Sequence, residues 1–411
     1  MNWKHVSLGE ISVNIQTGPF GSQLHQSDYS EKGTPVVMPK DLISGHISEE
    51  SIARVSDDHV ERLSRHKIEV GDILYSRRGD VGRCAFASET EAGWLCGTGC
   101  LRVTIDSRKA NPKFVFYQLL KADTIGWVEK HAVGSTMLNL NTSILSSVPI
   151  DLPSHDKQNH IVGVLSAYDD LIENNQKQIK LLEEAAQRLY KEWFVDLRFP
   201  GHETTPIVDG VPDGWTYKPF SEVFDYVRGK SYTSKELSDT TGILMANLKN
   251  IRAFGGYNRN AEKRFTGQYK ANQMLYAGDI VMGVTDMTQE RRLVGHVALV
   301  PDLGEKMTFS MDLIKIIPQL TDNLFLYSAM YYGGLSKQIS PLANGVNVLH
   351  LKPEAMMGIE MLIPTKDILE RYHQQFAPMV TRIEALQKQC DVAAEARDRL
   401  IPKLMNREIE V

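Results

Sequence analysis

Ile150-Asp151-Leu152-Pro153-Ser154-His155-Asp156-Lys157-Gln158 marks the point where the chain changes pattern. Before it, short β-like runs alternate with turn residues; after it, apolar residues recur every seven. The same junction is met again 211 residues on, where Pro364 stands for Pro153 and Asp367 for Asp156. Gly134 and Gly345, Leu138 and Leu349, and Leu140 and Leu351 keep that offset. Nearer the start, Trp3-x4-Leu8-x-Glu10-Ile11 returns as Trp215-x4-Phe220-x-Glu222-Val223, and Gly71-Asp72-Ile73 as Gly278-Asp279-Ile280. Each further match at fixed spacing multiplies the odds against coincidence. The period is far too long for a solenoid repeat of about 20 to 50 residues, so whole domains are duplicated.

Composition bounds the class. With 411 residues, 42% hydrophobic and 24% charged, the chain can bury real cores. Four cysteines, Cys84, Cys96, Cys100 and Cys390, are too few for a disulfide framework, and Cys96-x3-Cys100 finds no second pair to complete a zinc site. No metal is expected. No stretch approaches a membrane span and the first residues lack a signal-peptide pattern, which together predict a cytoplasmic protein. A net charge of −5 argues against a generally basic nucleic-acid coat, so any DNA contact must be local.

In each half the pattern predicts an α+β module followed by a long helix. Pro35-Val36-Val37-Met38, Asp72-Ile73-Leu74-Tyr75 and Leu101-Arg102-Val103-Thr104-Ile105 read as strands, and Pro112 to Ala122 as an amphipathic helix. Beyond Pro153, Leu165, Ile172, Ile179, Ala186 and Trp193 fall seven apart, with Tyr168, Asn175, Leu182 and Leu189 three residues on. Asp169, Glu173, Lys177, Lys180 and Arg188 then read as charged flanks of a coiled-coil seam. Roughly forty residues at 1.5 Å each give a rod of about 60 Å. The second copy supplies Phe376, Ile383, Cys390 and Leu404, with Met379, Leu386, Ala393 and Leu400. There Arg397 stands in the seam where the first copy has Ala186, and Pro378 and Pro402 are expected to limit or kink the helix. The two helices are expected to pair antiparallel. The implied division is a module at 1–152, a helix region at 153–200, a linker at 201–212, a second module at 213–364 and a second helix region at 365–411.

No catalytic constellation emerges. An amino-methyltransferase tetrapeptide is missing, and so is the carboxylate-x-Lys element of two-metal nucleases. Gly229-Lys230-Ser231 imitates the end of a phosphate loop, but Phe224 holds the place of its first glycine. Gly97-x-Gly99 has Arg102 where a dinucleotide fingerprint needs its third glycine. What remains is polar chemistry on loops. Ser22, Lys40, Arg77, Arg78, Arg83 and Ser135 in the first copy answer to Lys230, Asn247, Lys249, Arg291, Arg292 and Asn347 in the second. Arginine suits bidentate contact with guanine or phosphate, and asparagine suits adenine edges.

The junction run, the helix carrying Leu171-Ile172-Glu173-Asn174-Asn175-Gln176 and ending in Leu189-Tyr190-Lys191-Glu192-Trp193-Phe194, and the loop Thr17-Gly18-Pro19-Phe20-Gly21-Ser22 together resemble the specificity subunit of type I restriction-modification enzymes. The resemblance spans essentially the whole chain. It implies two tandem target-recognition domains, each reading half of a split DNA sequence, separated by two long antiparallel coiled-coil helices with pseudo-twofold symmetry. It further implies a non-catalytic chain docking two modification subunits, joined by restriction subunits, with S-adenosylmethionine, ATP and Mg on those partners. Seam residues Leu165, Ile172, Ile179, Leu182, Leu189, Trp193, Phe376, Ile383, Leu386 and Leu400 would serve pairing and docking. A coiled-coil adaptor without DNA specificity is the alternative reading.

Overall fold

The computed structural model describes residues 3–49, 51–134 and 137–409. They form two compact units, one of residues 1–174 with 390–411 and the other of 175–389. The division falls inside both long helices.

The first unit is built on a four-stranded antiparallel sheet in the order Ser12–Thr17, Cys100–Ile105, Ile73–Ser76, Cys84–Phe86. Its inner strands, rich in apolar and β-branched residues, are almost wholly buried, as half-covered polar-alternating strands would not be. A second, mixed sheet runs Leu95–Cys96, Thr34–Val37, Ala53–Val55, Tyr29–Ser30. Helix Pro112–Leu119 starts where Asn111 Oδ1 accepts from the backbone N–H of Lys113 at 2.9 Å and Phe114 at 3.2 Å, with proline in the first turn. Strand Lys4–Ser7 pairs with Pro149–Leu152 and closes the module just ahead of the first long helix, His155–Tyr190.

The second unit repeats this topology. Its sheets run Phe224–Arg228, Leu313–Pro318, Ile280–Gly283, Val297–Leu299, and Met307–Phe309, Ile243–Ala246, Lys263–Phe265, Leu237–Ser238. Asp322 caps helix Asn323–Tyr331 through the Phe325 N–H at 2.8 Å, 211 residues after Asn111. Strand Thr216–Pro219 closes on Glu360–Ile363 ahead of the second long helix, Lys366–Met405. The segment before this unit's module is folded: Ile207–Val208 pairs with Val211–Pro212 around Asp209 and Gly210, both at positive φ, as a tight hairpin turn requires.

Within each unit the two long helices run antiparallel. In the first, Arg397 meets Asp169 and the Cys390 thiol reaches the Ile172 carbonyl at 3.8 Å. In the second, Asn175 donates to Gln389 at 3.2 Å, Arg382 to Gln178 at 3.2 Å, and the Trp193 ring lies 5.8 Å from Tyr372. Of the seam residues, Leu165, Ile172, Trp193, Phe376 and Leu386 are buried, while Ile179, Leu182, Leu189, Ile383 and Leu400 are half-buried.

Two expectations about the helices are corrected. Neither proline limits the second helix, which runs 40 residues through both Pro378 and Pro402. A helical proline costs about 3 kcal/mol. Buried Phe376 flanks the first proline, and Ile401 and Leu404 flank the second, each of them contributing about 1.5–3 kcal/mol. Burial therefore outweighs the lost hydrogen bond. The second correction concerns Asp169 and Arg397. Asp169 is not a solvated flank and Arg397 is not a flaw in the seam: their side chains are 8% and 6% exposed and meet at 2.8 Å. Tyr117 donates its hydroxyl to the other Asp169 oxygen at 2.5 Å, and the Lys113 ammonium lies 3.6 Å away. Burial first, and then the Asp169 charge, push the Tyr117 hydroxyl far above its ordinary range.

Removing one partner of a buried pair strands the other, so Arg397→Ala should cost about 3–5 kcal/mol in urea unfolding of the full chain. The triple variant Tyr117→Phe, Asp169→Leu, Arg397→Met, which strands no charge, should recover most of that loss. A loss below about 1 kcal/mol for Arg397→Ala would mark the pair as no stronger than a surface one.

Candidate nucleic-acid interface

Antiparallel pairing brings three loops of the first unit to one end of its sheet. Leu101 is paired with Thr17 and Cys100 with Ser76, so the turns after Thr17 and Ser76 and before Cys100 emerge together. Main-chain bonds tie them: Gly18 N–H to the Cys100 carbonyl at 2.9 Å and Arg77 N–H to the Gly99 carbonyl at 2.8 Å. A fourth loop joins through Gly79 N–H to Leu138 at 3.1 Å and Leu140 N–H to Arg77 at 2.8 Å, with Val133 and Asn139 closing its neck.

The second unit ties the same knot. Gly229 N–H reaches the Leu313 carbonyl at 3.1 Å, Val284 N–H reaches Asp312 at 2.9 Å and Leu351 N–H reaches Val284 at 2.8 Å. Asn344 and His350 close the neck of its fourth loop. Glycine is required where the loops cross. A Cβ on Gly18 would sit 2.0 Å from the Gly97 carbonyl oxygen, and one on Gly229 the same distance from that of Ser310.

The side chains on these two frames differ. In the first unit Arg77 lies half-buried with its guanidinium 5.9 Å from the centre of the exposed Phe20 ring, and Ser22 and Arg78 are exposed nearby. Arg83 is exposed but bound to Asp80 at 2.6 Å. Lys40 sits on the adjoining turn, its ammonium held by the Ser51 carbonyl at 2.7 Å and Asp41 at 3.0 Å. Ser135 lies outside the described residues. In the second unit Lys230, Arg291 and Arg292 are half-buried, and Lys249 and Asn347 are exposed. Arg292 is paired with Glu290. The Nε atoms of Arg77, Arg291 and Arg292 are shielded from solvent and donate to no protein acceptor.

Asn247 drops out of the reading set. It is buried, donating to the Ala261 carbonyl at 2.7 Å and to Asn250 at 3.0 Å while its oxygen caps Lys249 N–H. Its amide holds the turn together and has nothing left to offer a base.

The sequence reading also missed residues that the knot brings forward. Phe20 is 53% exposed and Met137 64% in the first unit, as are Met287 at 77%, Met311 at 57% and Val346 at 86% in the second. An aromatic between two turn glycines, as in Gly18-Pro19-Phe20-Gly21, has little nearby chain to cover it, and that was the available signal. Asp286 was missed too. Its buried carboxylate accepts from the N–H of Leu293 at 2.6 Å, Thr288 at 2.7 Å and Val294 at 3.2 Å. Burial raises its pKa, but those bonds prevail and hold it below the usual carboxylate range, fixing the loop that carries Arg291 and Arg292. Among the described residues, no three His, Cys, Asp or Glu side chains gather as a metal site requires, and no helix is long and apolar enough to cross a membrane.

Residues 1–184 match the model of the type I restriction modification DNA specificity domain. The type I restriction enzyme MjaIX specificity subunit of Methanocaldococcus jannaschii is 27% identical, over 92% of this chain and 87% of its own length. The HindI specificity subunit of Haemophilus influenzae is 22% identical over 99% of this chain and all of its own. Over nearly its whole length the chain is similar to specificity subunits of type I restriction enzymes. The crystal structure of an S subunit from M. genitalium shares the fold of this chain, with a TM-score of 0.56 at 14% identity, covering 98% of this chain and 96% of that one. The specificity-domain match takes in the whole first loop knot, and the second knot reproduces its strand order and main-chain closure.

Gly18→Ala and Gly229→Ala should each distort one knot and leave the long helices intact. The expected outcome is unchanged helical circular dichroism with at least tenfold weaker binding to the subunit's DNA, about 1.4 kcal/mol. Unchanged DNA affinity in both variants would show that the knots do not face DNA.

Proposed function

We propose that this chain is the DNA-reading subunit of a type I complex, each module reading one half of a split target and the long helices setting the half-site spacing. The reading rests on one observation above others: two loop knots with the same main-chain closure carry unlike side chains. One offers Phe20, Arg77 and Arg78, the other Lys230, Arg291, Arg292 and Asn347. A shared frame with different readers suits an asymmetric target.

The chain supplies no chemistry of its own in this account. Two modification subunits would bind S-adenosylmethionine and methylate adenine, which must leave the base stack to react. Restriction subunits would bring ATP, Mg and cleavage. The half-buried seam residues Ile179, Leu182 and Ile383 leave apolar surface for those subunits to cover. Such a complex would work in the cytoplasm, where the DNA is.

Co-expression with a cognate methyltransferase subunit, followed by methylation-aware sequencing of host DNA, tests the proposal. Methylation at a single bipartite motif is expected, and replacing residues 1–150 by another module should change only one half of it. Methylation without any motif would overturn the reading. The double variant Arg77→Ala, Arg78→Ala should weaken binding by about 1–3 kcal/mol for each lost base contact and flatten the salt dependence by about one unit for each lost phosphate contact. Subunit assembly should be unaffected.

A further inference from the structure

Phe20 stands out among the groups that the loop knots present. It is a large apolar ring, 53% exposed, on a surface whose other business is with a polyanion. It is also held firmly. Its carbonyl accepts from the N–H of Gln23 at 2.8 Å and of Leu24 at 3.2 Å, and its own N–H donates to Gln23 Oε1 at 3.1 Å. The preceding carbonyl, of Pro19, accepts the Thr98 hydroxyl at 2.9 Å, and Gly18 is pinned to Cys100. A ring displayed on so fixed a turn loses little further freedom when it meets a partner.

The Arg77 guanidinium lies over the ring at 5.9 Å from its centre. That neighbour decides between two ways an exposed phenylalanine can meet DNA. A wedge driven between base pairs needs both faces of the ring free. Here the cation stands over one face, which leaves the ring's free face and edge for lateral contact. In the major groove the apolar group within reach of such contact is the 5-methyl of thymine, beside the acceptor edges that an arginine recognises.

The second unit lacks this feature. At the equivalent place, 211 residues on as Gly229 is from Gly18, stands Ser231, and the aromatic beside it, Tyr232, is half-buried, its hydroxyl accepting from Lys263 at 2.8 Å and its ring 6.5 Å from Phe265. Its loop presents Lys230 and Ser231 instead.

We propose that Phe20 is a specificity-determining residue that reads a thymine through its 5-methyl group in the half-site of the first module, with Arg77 contacting the neighbouring base edge or phosphate. The proposal rests on the reading of the chain as a DNA-recognition subunit and adds to it a base and the group recognised.

Uracil substitution tests it, since it removes one methyl and keeps base pairing. Binding of the assembled methyltransferase complex to its motif is measured with each thymine replaced in turn. One position in the first module's half-site should weaken binding about fivefold, the effect of one buried methyl-sized group. Phe20→Ala should bind the thymine and uracil duplexes equally, and Phe20→Leu should keep part of the difference. Tyr232→Ala should leave the pattern unchanged. Phe20 is largely in solvent, so the Ala variant should melt at the parental temperature. If the parent distinguishes its motif from scrambled DNA yet tolerates every uracil, or if Phe20→Ala keeps the uracil penalty, Phe20 does not read a methyl. If the parent shows no preference for any motif, the DNA-reading function fails, and this proposal with it.

Discussion

A carboxylate enclosed between helices must have a cation at its own height, and in the first unit that requirement fixes three elements at once. Asp169 on the first long helix takes Arg397 from the second and the Tyr117 hydroxyl from the module's own helix. An axial slip of one turn, about 5.4 Å, would leave the carboxylate and the guanidinium buried apart. Apolar seams tolerate such slips far better, because one leucine layer resembles the next. The polar rung therefore specifies register, as single buried polar residues do in coiled coils. In the second unit the Asn175–Gln389 bond and the contact of the Trp193 ring with Tyr372, at 5.8 Å, hold the same helices by other means.

On these bases each unit raises the same module: two four-stranded sheets, a capped helix and a closing strand pair. The two copies differ where they are most exposed. Their common parts are backbone-determined, in strand registers, glycine crossings and the helix caps of Asn111 and Asp322. Their differences are side chains at loop tips.

What could be read from the sequence follows the same line. The constant 211-residue offset, the central strands and the long helices rest on patterns of apolar residues, Gly and Pro, which local sequence carries openly. The Asp169–Arg397 pair escaped because a periodicity count treats every charge as solvated, and only the fold brings together two residues so distant in sequence. Pro378 and Pro402 misled because local propensity is outweighed by burial of neighbouring side chains. Asn247 looked like a reader for want of the turn that encloses it, although its spacing to Asn250 repeats that of Met38 to Asp41, where a side chain also closes the turn onto the backbone. Phe20 passed for a turn residue because exposure belongs to the assembled loops and not to the tetrapeptide.

The knots have one more consequence, for how such a chain can change over generations. The closure uses N–H and C=O groups and a few glycines, so most side chains at the loop tips bear no load. A substitution at Ser22, Arg78 or Asn347, all of them exposed, leaves the frame's bonds as they are. New meanings can then be tried without endangering the fold, and a lineage can wander through recognition sequences while every intermediate still folds.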